Sequence, residues 1–311
     1  MGSEQPAPVE LRGLVKRYGD LVAVDNVDLT VQAGDVYGYL GPNGAGKTTS
    51  LRMMLGLIRP TAGSVRLFGR DPMQTVHALD GVAGFVEAPR FYPYLTGRRN
   101  LELLASFDGG GARERIPEVL DTVELTDRAG DRVGGYSHGM QQRLGIAAAL
   151  LRAPRLLLLD EPATGLDTAG MRDMRHLIRR LADAGMTVLL SSHLMPEVEE
   201  LCNRVAIVRA GAIVYEGAIA DLKRTAGSTY HLRTTDDERA LAVCQAQRGI
   251  RDARMESGEV AFGGSEEAVA ELSVALVEAG ALIRSLVPQT ATLEELFFKL
   301  TEEDPAEPVP A

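Results

Sequence analysis

A chain of 311 residues with a formal net charge of −10 has room for one large domain and a smaller one, and its acidity excludes a broad electrostatic hold on a nucleic-acid backbone, which needs clustered Lys and Arg. Hydrophobic residues at 45% and charged residues at 24% exclude a disordered or collagen-like chain, and the best apolar run, 145–151, stops at Arg152 and Pro154, short of the roughly 20 residues of a spanning helix. The start, Met-Gly-Ser-Glu-Gln-Pro-Ala-Pro, has neither half of a secretory signal and reads as a flexible lead-in over 1–8, while Cys202 and Cys244 lie too far apart for a Cys-x-x-Cys pair and read as reduced structural thiols of a cytoplasmic protein.

Val27, Leu29 and Val31 alternate with polar neighbours ahead of Ala33-Gly34-Asp35, which predicts a half-buried strand, a turn and an antiparallel opening. Residues 36–40 predict a short buried strand, followed by a Gly-rich loop and a helix from Thr48. From about 95 to 155 the patterns are helical, so a helical subdomain interrupts the sheet. A fully buried strand follows at 156–159. Met171, Met174, Leu177, Ile178 and Leu181 mark one face of a helix, and 187–192 is another strand. Strands alternating with helices imply a parallel sheet. After strands at 205–208 and 212–215 the character changes over 221–227, so one domain is expected over 9–220 and a second over 221–301. The second reads strand (230–233), helix (236–247), a hairpin turning at Ser257-Gly258, helix (265–279), strand (282–287) and a helix from Thr292. That is the order of a ferredoxin-like split βαβ unit. Residues 302–311, rich in Pro and acid, read as a disordered tail.

The loop after the 36–40 strand is Gly41-Pro42-Asn43-Gly44-Ala45-Gly46-Lys47-Thr48. It fits Gly-x-x-x-x-Gly-Lys-Ser/Thr in the strand-to-helix setting which that pattern requires. Small residues let successive backbone N–H groups wrap a β-phosphate while the positive end of the helix faces the same anion. Lys47 adds a mobile charge between the β- and γ-phosphates, and the Thr48 hydroxyl can ligate Mg²⁺. With Thr49 these residues form the expected nucleotide-binding set. The loop alone does not separate ATPases from GTPases or kinases. Asp160-Glu161, ending the 156–159 strand, puts two carboxylates where a parallel sheet faces its ligand crevice. Asp160 can hold the ion through its water shell, and Glu161 can polarise the attacking water as general base.

With these motifs in this order the sequence resembles the ABC ATPase family over about residues 9–218. Tyr18 stands where the family has its adenine-stacking aromatic residue, and Gly135-Tyr136-Ser137-His138-Gly139-Met140-Gln141-Gln142-Arg143 stands where it has its signature. Gly165-Leu166-Asp167 looks like the loop that couples the two active sites, and His193 is similar to the switch histidine that senses the γ-phosphate. The resemblance implies an α/β P-loop NTPase fold: an ABC-type nucleotide-binding domain with parallel core sheet, antiparallel β subdomain and helical subdomain, plus a small C-terminal α+β domain. It implies ATP and Mg²⁺ as cofactors and Glu161 and His193 as catalytic residues. Ser137 can cap the helix that runs on from Gly139, a second anion site. In the family that site grips the γ-phosphate held by the opposite subunit, and the resemblance adds Asp167 of the coupling loop to the nucleotide-binding residues. One chain then carries halves of two active sites, which implies a head-to-tail homodimer with ATP at the interface. Stacking on Tyr18 reads no hydrogen-bonding edge, so discrimination of ATP from GTP is expected to be modest.

Two departures stand out. His138 occupies the place of a signature Gly, between Tyr136 and Met140 at the edges. Glu87, in Gly84-Phe85-Val86-Glu87-Ala88-Pro89, occupies the place of a Gln that touches Mg²⁺ and the water. Glu can bind a hard cation, which adds Glu87 to Thr48 and Asp160 as a metal residue; a solvent-facing loop role stays open. Arg90-Phe91-Tyr92-Pro93-Tyr94-Leu95-Thr96-Gly97 offers aromatic and basic surface in the region that meets the membrane partner's coupling helices in the family. This loop, the extra domain and the Leu293-Glu294-Glu295-Leu296-Phe297 helix look like the ATPase subunits of drug and antibiotic exporters, including daunorubicin-type and bacitracin-type resistance transporters. The expectation is an ATP-hydrolysing export motor at the cytoplasmic face of the membrane, driving a separate transmembrane permease subunit and binding no nucleic acid. A lantibiotic, lipid, polysaccharide or ion as cargo stays open. A soluble ABC ATPase acting on nucleic acid or ribosomes would usually carry two phosphate loops or a long coiled-coil insertion, and a GTPase an Asn-Lys-x-Asp loop; the sequence has none of these.

Overall fold

The computed structural model describes residues 6–108, 111–226, 228–290 and 292–302 and divides into two units, Met1–Gly217 and Ala218–Ala311. Of the ends expected to be loose, residues 1–5 and 303–311 lie outside the described residues.

The first unit opens with β1 (Val9–Tyr18) and β2 (Leu21–Val31), an antiparallel pair. Register shifts after Leu11 and after Leu14 carry the buried face of β1 from Val9 and Leu11 to Leu14, breaking the period-2 pattern that would announce a strand. β3 (Val36–Leu40) leads through the Gly-rich loop into α1 (Lys47–Met54), and β4 (Ala62–Leu67) pairs with β1 before β5 (Val82–Phe85). The helical stretch consists of α2 (Gly97–Asp108), α3 (Ile116–Thr122) and α4 (His138–Leu150). Among its described residues the extended pairing is a single bridge, Thr96 to Arg132. Then come β6 (Leu156–Asp160), α5 (Thr168–Asp183), β7 (Thr187–Ser192), α6 (Met195–Leu201), β8 (Arg204–Arg209) and β9 (Ala212–Ala218).

Two sheets result. One has the order β2-β1-β4 and the other β5-β6-β7-β3-β8-β9, the latter parallel from β5 through β8. Every residue of β6 and β7 is buried, as expected for strands covered on both faces. On α5 the stripe Met174, Leu177, Ile178 and Leu181 is buried and Met171 half-buried, the i, i+3, i+4, i+7 face of an amphipathic helix. Tyr37 and Tyr39 fill the centre of β3, and each hydroxyl finds a partner: Tyr37 donates to Glu216 at 3.2 Å and Tyr39 shares a 3.2 Å bond with Ser50. Burial pushes the Tyr39 hydroxyl up to about 12, so it stays a neutral phenol.

In the second unit α7 (Ile219–Ala226), β10 (Ser228–Thr234), α8 (Asp237–Ala246), β11 (Ile250–Glu256), β12 (Glu259–Gly264), α9 (Glu266–Glu278), β13 (Ile283–Thr290) and α10 (Leu293–Glu302) follow in turn. The sheet is antiparallel in the order β11-β12-β10-β13, which is the split βαβ arrangement. Leu232, Val260 and Phe262 pack beneath Ala240 and Cys244 of α8 and Leu272 and Leu276 of α9. Both cysteines are buried and free, and burial pushes the Cys244 thiol up to about 11; thiols held neutral in this way are unreactive. Among the described residues no helix is long and apolar enough to cross a membrane.

For function the decisive feature is strand register. Leu40 lies opposite Ser192, and Asp160 opposite Ser191, so the loops after β3, β6 and β7 leave the sheet side by side at the end where α/β folds bind ligands.

Candidate nucleotide site

The loop after β3 is held by backbone contacts that leave no room for larger residues. Gly46 has φ +96°, and a Cβ there would sit 2.2 Å from the carbonyl oxygen of Ala23, so only glycine meets both demands. Gly46 also caps α1 with no side-chain bond, which leaves the first N–H groups of the helix for an anion. Lys47 is 6% exposed; its ammonium donates to Gly41 O at 2.7 Å and Pro42 O at 3.2 Å, and lies 3.2 Å from Glu161 Oε1. A cleft of about 410 Å³ is lined by Asn43, Gly44, Ala45, Gly46, Lys47, Thr48 and Thr49 together with Tyr18, Glu161, Thr164 and His193.

Glu161 is the electrostatic centre of this cleft. Its Oε2 accepts from His193 Nδ1 at 2.7 Å and from the Thr164 hydroxyl at 3.0 Å. Burial pushes its carboxyl up, but the Lys47 charge and the His193 hydrogen bond outweigh burial and hold the group below the ordinary glutamate range. It is therefore an ionised acceptor facing the phosphate loop. Its backbone has φ +49°, and its N–H is shared between Ser191 O at 3.2 Å and Ser191 Oγ at 3.0 Å. Asp160, 4% exposed, accepts from Ser191 Oγ at 2.6 Å on one oxygen and from the Glu87 N–H at 3.3 Å on the other.

Tyr18 stands at the mouth, 48% exposed, with the Lys16 ammonium 5.0 Å from its ring centre, a geometry for cation–π attraction. Its free face and the neighbouring Leu21 offer a flat apolar surface beside the phosphate loop. Glu87 reaches the site through its backbone. Its carboxylate, 63% exposed, pairs with Arg52 of α1 rather than turning toward Asp160. An Arg in hydrogen-bond reach is a better partner for an exposed carboxylate than two further carboxylates would be.

Ser137, Gly139 and Asp167 are not in this cleft. With His138, Gly165 and Leu166 they line a separate cavity of about 430 Å³. There Ser137 caps α4 by accepting from Met140 N at 3.2 Å, and Asp167 caps α5 by accepting from Gly170 N at 2.8 Å. His138 Nε2 donates to Thr164 O at 3.0 Å. Tyr136 is buried and donates to Arg128 O at 2.6 Å, an anchor within the helical stretch.

Sequence reasoning missed Ser191, Thr164 and Arg52. A hydroxyl inside the otherwise aliphatic 188–191 run was the available signal for Ser191, since a buried hydroxyl needs partners; Thr164 stands three residues past Glu161, a spacing the sequence itself offers, whereas Arg52 meets Glu87 only through the fold.

Comparison with known proteins gives a consistent set. The family model described as ABC transporter matches residues 24–164. The uncharacterized ABC transporter ATP-binding protein YdbJ of Bacillus subtilis is 38% identical over 295 residues, 94% of this chain and 95% of that one. The bacitracin transport ATP-binding protein BcrA of Bacillus licheniformis is 37% identical over 94% of this chain and 96% of its own. The daunorubicin/doxorubicin resistance ATP-binding protein DrrA of Streptomyces peucetius is 37% identical over 97% and 94%. Among solved structures, an ATP binding subunit of an ABC transporter is 27% identical with a TM-score of 0.63, covering 70% of this chain and 92% of that one. The dimeric post-hydrolysis ATP-binding cassette MJ0796, bound to ADP and Pi, is 28% identical with a TM-score of 0.61, covering 68% and 98%.

Proposed function

The chain belongs to the ABC transporter ATPase family, and from that premise we propose that it is the ATP-hydrolysing motor of a drug or antibiotic exporter, acting on a separate transmembrane permease subunit at the cytoplasmic face of the membrane. The observation that carries the ATPase role is Glu161, ionised and clasped by Lys47, Thr164 and His193 at the floor of the phosphate-loop cleft. The export role draws on the bacitracin and daunorubicin resistance relatives, which align over nearly the whole chain, second unit included.

In this reading Asn43 to Thr49 wrap the phosphates, Lys47 turns from Glu161 to the β- and γ-phosphates, and Tyr18 stacks on adenine. Glu161 takes a proton from the attacking water, and His193 holds that carboxylate in line and meets the γ-phosphate. Thr48 and Asp160 would hold Mg²⁺. The residues fit that ion: each Asp160 oxygen accepts one hydrogen bond and keeps a lone pair, and a single carboxylate with a hydroxyl beside phosphate is a magnesium donor set. Held by Thr48 and Asp160, the ion would supply positive charge to offset that of the phosphates. Glu87 acts on this centre through its N–H, with its charge spent on Arg52.

Two copies are needed. Ser137, Gly139 and Asp167 line a cavity that shares no residue with the cleft, so a head-to-tail pair brings each such face to the other copy's γ-phosphate. The dimeric cassette relative supports that pairing. The permease would dock on a groove of about 390 Å³ lined by Phe85, Pro89, Phe91, Leu104 and Phe107. Phe107 there is 80% exposed and Tyr94 close by in sequence 65%, the apolar character of an interaction surface. Gly145 of α4 lets Pro89 pack against the helix, since a Cβ would lie 2.5 Å from its ring.

Affinity purification from detergent-solubilised membranes tests the whole reading. It should bring down an integral membrane protein, and the complex should hydrolyse ATP faster with bacitracin or daunorubicin. A chain that hydrolyses ATP but retains no integral membrane protein contradicts the export role.

A further inference from the structure

We propose that Ser191 is a positioning residue that fixes Asp160 and Glu161 as one unit, its hydroxyl bridging the carboxylate of the first and the backbone N–H of the second. The inference rests on the roles given above to those two acids. Ser191 is fully buried in a strand whose preceding residues are Val188, Leu189 and Leu190. A hydroxyl there is costly unless both its donor and its acceptor functions are used. Both are: it donates to Asp160 Oδ1 at 2.6 Å and accepts from Glu161 N at 3.0 Å.

The parallel ladder makes this possible by setting Asp160 directly opposite Ser191. Adjacent strands with aligned residues point those side chains to the same face of the sheet. The consequence for Glu161 is conformational. Its φ of +49° lies in a region that long side chains seldom occupy, and this turn brings the carboxylate back over Lys47 and His193. Without the hydroxyl, the Glu161 N–H keeps only the longer bond to Ser191 O, 3.2 Å, and Asp160 keeps only the 3.3 Å bond from Glu87. Ser191 is fully buried and does not line the cleft. Its effect must therefore pass through the two acids.

The test compares Ser191→Ala with Ser191→Thr, reading kcat, the affinity for a fluorescent ATP analogue without metal, and the Mg²⁺ concentration that half-saturates tight binding of that analogue. Loss of a hydrogen bond to a charged group predicts kcat about 10–100-fold lower in S191A and half-saturating Mg²⁺ about tenfold higher. Metal-free affinity should not fall, because the loop is untouched and any loosening of Glu161 leaves Lys47 freer to meet phosphate, and S191T should regain most of both losses. Wild-type kcat and Mg²⁺ dependence in S191A overturns the proposal, and so does S191T as impaired as S191A, or a metal-free affinity that falls in step with kcat. If S191A does not fold, the near-isosteric Ser191→Cys, a weaker donor, should lie between wild type and the predicted S191A values; S191C equal to wild type overturns the proposal. Asp160→Asn and Glu161→Gln run in parallel separate two failures. If they keep full turnover, the assignment of the site is wrong; if they lose it while S191A does not, only the role of Ser191 is wrong.

Discussion

Replacing Glu161 by Gln leaves the shape of the site almost unchanged and removes one charge and one proton acceptor. The amide can still accept from Thr164 and His193, so the fold around it should persist. Turnover should fall by roughly 10²–10⁴, the usual worth of general base catalysis. ATP binding should move the other way. The Lys47 ammonium lies 3.2 Å from Glu161 Oε1, with side chains 6% and 21% exposed; at an effective dielectric constant near 20 such a pair attracts by about 5 kcal/mol. Most of this is cancelled by desolvation already incurred and by residual solvent contact, so about 1–2 kcal/mol becomes available to phosphate. That is ~5–30-fold tighter ATP. Phosphate release measures the first quantity and titration with a fluorescent ATP analogue the second. A variant that turns over within about threefold of wild type, or that binds ATP more weakly, refutes this account of Glu161.

The same pair sets a pH dependence. Glu161 is held below the ordinary glutamate range in the free chain. A carboxyl with a depressed folded value contributes stability above its unfolded value, about 4.3, and that contribution disappears as pH falls through the folded value. Since kcat/KM reports the free enzyme and kcat the complex, and phosphate draws the Lys47 charge away from Glu161, the acid limb of kcat should lie at higher pH than that of kcat/KM; coincident limbs would count against the Lys47–Glu161 exchange. Tyr18→Ala should weaken ATP and GTP alike by about 1–3 kcal/mol, the worth of stacking one base; a loss confined to ATP would give Tyr18 a different role. Gly46→Ala should abolish nucleotide binding on a calorimeter, because its φ of +96° and the 2.2 Å approach to Ala23 O leave the loop no way to keep its path; wild-type affinity would contradict the loop geometry. Ser137→Arg should leave each copy able to bind ATP while preventing ATP-dependent pairing on a sizing column.

How much of this was legible beforehand depended on how far each signal is local. β6 and β7 were readable almost to the residue because strands buried on both faces make unbroken aliphatic runs. β1 was not, because its shifts at Leu11 and Leu14 spoil the alternation, and β5 was not, because Val82-Ala83-Gly84-Phe85 is short and its Gly84 is there for close approach to the Leu158 backbone. The phosphate loop announces itself by spacing, since the conformations that Gly44 and Gly46 adopt are local. Glu161 and His193 were legible as types of residue at strand ends and Lys47 by its place in the phosphate loop, but their contacts with one another were not. The hydroxyl bridge of Ser191 depends on the β6–β7 register, and the diversion of the Glu87 carboxylate depends on where α1 puts Arg52. Neither is written in any window of sequence short enough to read by pattern.

The central claim is that ATP is gripped by the Lys47 loop of one copy and closed over by the Ser137 face of another. Mixing Lys47→Ala chain with Ser137→Arg chain tests it directly. Each variant alone lacks one half of every site and should stay monomeric with Mg·ATP in sedimentation velocity. The mixed pair keeps one intact site, formed by the wild-type loop of the second and the wild-type Ser137 face of the first, so ATP should produce dimers in the mixture. A mixture that stays monomeric, under conditions where the wild type dimerises and both variants melt as it does, would contradict the shared site.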